Sequence, residues 1–64
     1  MIINGKEGSF ETGITIKELL MKLELNEKIV VIEINHKIVP KKQYSSFVLN
    51  EGDKVEIVSF MAGG

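Results

Sequence analysis

The sequence predicts an α+β roll, with one helix packed on a mixed sheet of four to five strands. Three observations carry this reading. Ile16, Leu19, Leu20 and Leu23 recur at i, i+3, i+4 and i+7, which paints one apolar stripe along one helix. The remaining apolar runs are short, rich in Val and Ile, and bounded by turn-forming residues, as strands are. A chain of 64 residues buries only about 60% of its unfolded surface, so one helix and one sheet sharing a single small core is the simplest arrangement.

The elements follow in order. Met1-Ile2-Ile3 is apolar and runs into Asn4-Gly5, a pair that tolerates the positive φ angles of a tight turn. Gly8 offers a second permissive position, and Ser9-Phe10-Glu11 brings the chain back as a hairpin. Thr15-Ile16-Lys17-Glu18 has the T-x-x-E form of a capping box, with Ile14 and Leu19 placed for a hydrophobic staple. The helix starts there, and Asn26 is expected to end it in a left-handed conformation.

Ile29 to Asn35 is too short and too β-branched for a helix and is expected as a central strand, with Val30, Ile32 and Ile34 inward and Glu33 and Asn35 outward. Asn35-His36-Lys37 is turn-like and Ile38-Val39 briefly extended. Pro40 ends that piece or places it at an edge. Lys41 to Leu49 is irregular, with Tyr44, Phe47 and Leu49 plugging the core. Asn50 to Asp53 forms another turn. Lys54 to Phe60 is the last strand, with Val55 and Ile57 inward and Val58 and Phe60 turned to the opposite face by alternation.

Composition removes several functions. A net charge of −1 gives no general drive toward nucleic acid or anionic membrane. No apolar run approaches the roughly 20 residues that span a bilayer, and no signal peptide is expected. Cysteine is absent, which excludes disulfides and thiol chemistry and permits a reducing, cytoplasmic setting. One histidine and no cysteine make a structural zinc site a poor fit. His36 has no Ser, Cys or carboxylate at a triad or metal spacing and is expected at the surface. The glutamates are scattered over loops and outer faces. Neither a Walker-type phosphate loop nor a dinucleotide fingerprint is present. An autonomous enzyme with its own catalytic or metal-binding residues is not indicated. Lys37, Lys41 and Lys42 form a small basic cluster around Pro40, either a solvated loop or a docking patch.

The end of the sequence, Met61-Ala62-Gly63-Gly64, stands out against that blank. A frayed terminus would explain it. The chemical alternative is that glycine, lacking a Cβ, lets backbone thread a narrow active site of another protein. Ala62 and Gly63 would thread, and Gly64 would present its carboxylate for activation by adenylation. The chain is then a substrate.

The pattern Asn35, Ile38-Val39-Pro40-Lys41, Leu49, Glu51 to Val58 and terminal Gly63-Gly64 resembles the ThiS family of thiamine-biosynthesis sulfur carriers; Asn4-Gly5 and Glu18-Leu19-Leu20 fit the same pattern. The resemblance implies a ubiquitin-like β-grasp domain over residues 1–60 and a flexible tail over 61–64. It also implies that a ThiF-like (E1-like) adenylyltransferase, using ATP and Mg, activates Gly64. Sulfur drawn from cysteine through a desulfurase then makes a thiocarboxylate, which a ThiG-like thiazole synthase consumes. Family members meet the activating enzyme through the sheet face beside the tail, which points to Val58, Phe60 and Met61 as a partner-binding patch. Lysine stands at 41 where arginine is common in the family, keeping the charge but not the bidentate fork. The small subunit of molybdopterin synthase is an alternative, although it usually carries prolines shortly before its Gly-Gly end. A ubiquitin-like modifier and a plain interaction module are two others.

Overall fold

The computed structural model describes residues 1–8 and 12–60. Its chain order is β1 (Ile2–Ile3), β2 (Lys6–Glu7), α1 (Ile16–Lys22), β3 (Val30–Ile34), β4 (Lys37–Ile38) and β5 (Lys54–Ser59), with 3-10 turns at Glu27–Ile29 and Lys41–Gln43. The five strands form one sheet in the order β2-β1-β5-β3-β4. Among the described residues, β1 and β5 pair in parallel and the other neighbours are antiparallel. The expected roll of one helix on a mixed sheet is the observed architecture.

The first turn is Asn4-Gly5, with φ of 51° and 82° and Ile3 paired to Lys6 across it. Two successive positive φ angles suit the right-handed twist of a two-residue hairpin. The returning strand is therefore Lys6–Glu7, and Ser9 to Glu11 lie outside the described residues. β1 is short, but Asn4 continues its ladder along β5. Its N–H donates to the Val55 carbonyl at 2.8 Å, and its Oδ1 accepts from the Ile57 N–H at 2.7 Å.

The helix begins where the capping box places it. The Glu18 N–H donates to Thr15 Oγ1 at 3.1 Å, and the Thr15 N–H donates to Glu18 Oε1 at 2.8 Å. The two preceding free donors of the first turn find partners in the long loop: Ile16 N–H on the Phe47 carbonyl and Lys17 N–H on that of Tyr44. A helix start thus has its orphan donors satisfied, and the irregular segment is pinned to the helix. Tyr44 and Leu49 are buried there as expected, while Phe47 is half-buried against the core.

The helix end differs from expectation. Leu23 is the C-cap, and Glu24 takes the left-handed conformation at φ 57°, two residues before Asn26. The Glu24 N–H donates to Met21 O and the Leu25 N–H to Leu20 O, the paired bonds of a Schellman stop. Leu25, packed against the core, supplies the apolar contact that accompanies such a stop. Asn26 has φ −87° and instead caps the following 3-10 turn, accepting from the Lys28 N–H at 2.9 Å.

β3 loses its expected first residue, because Ile29 closes that 3-10 turn. Val30, Ile32 and Ile34 are buried. β3 is paired on both sides, yet the middle of the sheet is β5. Asn35 and His36, at φ 52° and 70°, make the second two-residue turn with two positive φ angles. Pro40 closes the edge piece β4 and opens the turn Lys41–Gln43.

Candidate functional site at the exit of the last strand

β5 carries two chemistries on its two faces. Val55 is buried and Ile57 packs half-buried against the core, while Val58 and Phe60 are 51% and 58% exposed. The alternation read from sequence therefore holds from Val55 to Val58, beyond which Ser59 and Phe60 are both exposed. Val58 stands opposite Val31 in the β3–β5 register, and Glu56 stands opposite Glu33. One end of the bare face is thus apolar and the adjoining row acidic.

Phe60 is tied down rather than loose. Its N–H donates to the Ile29 carbonyl at 3.1 Å, extending the β3–β5 ladder beyond the strand. Lys41 Nζ lies 5.5 Å from the centre of the Phe60 ring, within cation–π range. The same ammonium donates to the carbonyls of Glu27 at 2.8 Å and Val30 at 3.1 Å. Of the three lysines around Pro40, Lys41 makes these contacts. Lys37 sits on the edge strand β4, and both Lys37 and Lys42 are exposed. A patch of three equivalent solvated cations is therefore not what the fold presents. The role of Lys41 has a weak signal in the sequence, since nothing local links position 41 to position 60.

Phe60 and Val58 are brought together at the strand exit. Met61, Ala62, Gly63 and Gly64 lie outside the described residues. His36 is exposed in its turn. Among the described residues no group of His, Asp and Glu is placed to hold a metal ion, and no helix is long and apolar enough to cross a membrane. Tyr44, within the irregular segment, is buried in the core. Burial pushes its phenol up and the nearby Glu27 carboxylate adds to this, against the Ile32 backbone hydrogen bond, which pulls it down.

One helix on a mixed sheet with the strand order β2-β1-β5-β3-β4 defines a ubiquitin-like β-grasp domain. The ThiS family model matches residues 1–64, and the chain belongs to that family. It is 41% identical to the sulfur carrier protein ThiS of Bacillus subtilis, over 97% of this chain and 96% of that protein. It is 42% identical to a thiazole synthase of Paramagnetospirillum magneticum across all of this chain, which spans 20% of that protein's length. The crystal structure of the thiamine biosynthesis protein ThiS from Geobacter metallireducens superposes with a TM-score of 0.79 at 27% identity, covering 98% of this chain and 96% of that one.

Proposed function

We propose that this chain is a sulfur carrier of thiamine biosynthesis that holds sulfur on the main-chain carboxylate of Gly64. The observation that carries the proposal is the match to the ThiS family over residues 1–64, with Gly63-Gly64 at its end. The absence of cysteine fits, because a main-chain carboxylate needs no thiol.

The chemistry balances in two steps. A carboxylate oxygen of Gly64 attacks the α-phosphorus of ATP, held with Mg by an E1-like, ThiF-like adenylyltransferase, and pyrophosphate leaves. A sulfur nucleophile, ultimately from cysteine through a desulfurase, attacks the acyl carbon. AMP departs with the bridging oxygen to leave an acyl disulfide to the persulfide donor. A second thiol attacks the donor's sulfur, forming a disulfide with it and releasing the thiocarboxylate. A ThiG-like thiazole synthase then takes the sulfur. The similarity of this chain to part of a Paramagnetospirillum thiazole synthase supports that partnership. On this chain, Ala62 and Gly63 thread the active site, and Val58, Phe60 and Met61 dock beside it. The domain, residues 1–60, supplies position; the arm, residues 61–64, supplies the reacting group. Holding the acyl group at a fixed reach is the gain that an otherwise slow bimolecular step needs.

Incubation with an activating enzyme, ATP and a sulfur source should raise the intact mass by one oxygen-to-sulfur exchange, mapped by tandem mass spectrometry to Gly64. Deleting Gly63 and Gly64 should abolish that shift while changing folding stability by less than about 0.5 kcal/mol. Sulfur on an internal residue, or larger isopeptide conjugates on a gel, would refute the carrier reading.

A further inference from the structure

We propose that Lys41 is a positioning residue that holds the Phe60 side chain in its docking orientation. The proposal rests on the carrier reading above, in which Phe60 docks against the activating enzyme, and adds how this chain holds that side chain ready.

Three neighbouring carbonyls are engaged by Lys41 and Phe60. Those of Glu27 and Val30 accept from Lys41 Nζ, and that of Ile29, between them, accepts from the Phe60 N–H. The short segment 27–30 is therefore gripped from two sides by the two residues that also meet as cation and ring. Lys41 is itself mounted on a stiff base, because Pro40 fixes φ at −61° immediately before the 3-10 turn Lys41–Gln43. A lysine on a free stem would lose rotamer entropy to make such a contact. Here two backbone hydrogen bonds already hold the ammonium, so the contact to the ring adds little further ordering cost.

Phe60 is the last described residue before the arm, and its exposed ring would otherwise sample several rotamers. A cation held near the ring narrows that choice and leaves more than half of the residue's surface accessible to a partner. Binding a pre-ordered side chain costs less than ordering it on contact. The stabilisation belongs to the encounter with the activating enzyme, not to the acyl chemistry. Loss of Lys41 should therefore appear in KM.

The test is a double-mutant cycle on the full chain, read as adenylation kinetics with a cognate activating enzyme. Lys41→Met, which keeps the apolar stem, should raise the KM for the carrier about threefold and leave kcat within about twofold. In a Phe60→Ala background the same change should leave KM unaltered, because the group through which Lys41 acts is gone. Lys41→Arg, which keeps the cation, should restore most of the loss. Amide exchange adds a readout that needs no partner: Lys41→Met should speed exchange at Phe60 more than at Ile32. An equal rise in KM in both backgrounds would make Lys41 a stabiliser of the 27–30 turn and overturn the proposal, as would unchanged exchange at Phe60. Failure of the native chain to be adenylated at all would instead overturn the carrier reading on which the proposal stands.

Discussion

The two faces of β5 are built from alternate residues of one strand and live in opposite environments. Val55 is buried in the core, while its neighbour Glu56 is exposed opposite another glutamate. The covered face maximises burial of Val, Ile and Leu side chains, each worth about 1.5–3 kcal/mol when fully withdrawn from water. The bare face keeps apolar groups exposed and sets two like charges side by side, arrangements that contribute nothing to folding. The lesson is a division of labour: the inner face keeps the domain folded, and the outer face is left for another surface.

That contrast can be broken most sharply on the covered side. Leu20 is 2% exposed on the helical stripe, and Leu20→Ala should cost about 2–5 kcal/mol of stability. Chemical denaturation reads the loss, and adenylation of the fraction still folded should continue. On the bare side, Phe60→Ala should weaken binding to the activating enzyme by about 2 kcal/mol, the scale of an aromatic hot spot. Its effect on the isolated chain should be smaller. Titration calorimetry paired with thermal melts separates the two; unchanged affinity with a large stability loss would move Phe60 to the folding side of the comparison.

A third change should improve the fold at the expense of nothing in the core. Glu56→Lys replaces a like-charge cross-strand pair with an opposite one, facing Glu33. It should gain about 0.2–1 kcal/mol in denaturant, and a loss would show that the two carboxylates are already compensated. The smallest effect concerns Tyr44, the only tyrosine of a chain without tryptophan. Burial raises its pKa in the folded chain above the value near 10 of an unfolded one. The neutral phenol then contributes stability that is fully present below about pH 10 and is lost as pH rises through the folded pKa. Phenolate absorbance should appear at higher pH in the native chain than in denaturant, and coincident curves would contradict the burial account.

Much of this is legible in the sequence. Thr15 and Glu18 lie three residues apart and satisfy one another, so the helix start needed no distant partner. Asn4-Gly5 and Asn35-His36 announce tight turns for the same local reason, and alternation along β5 assigns Val55 and Val58 to opposite faces. The stop at Glu24 was less visible, because glutamate has no intrinsic taste for positive φ. What holds it there is Leu25 on the core, a contact that exists only once the sheet is in place.

The sequence by itself thus determined the periodicities, the turns, the helix cap and the family signature ending in Gly63-Gly64, since each depends on residues a few positions apart. Tertiary structure alone decided that β1 and β5 pair in parallel and put β5 at the middle of the sheet. It also decided that Asn4 would extend β1 along β5, and that Lys41 would reach Phe60. These contacts join segments far apart in the chain. Their formation must offset the entropy of closing long loops, and that balance is struck by the whole core together rather than by any local stretch.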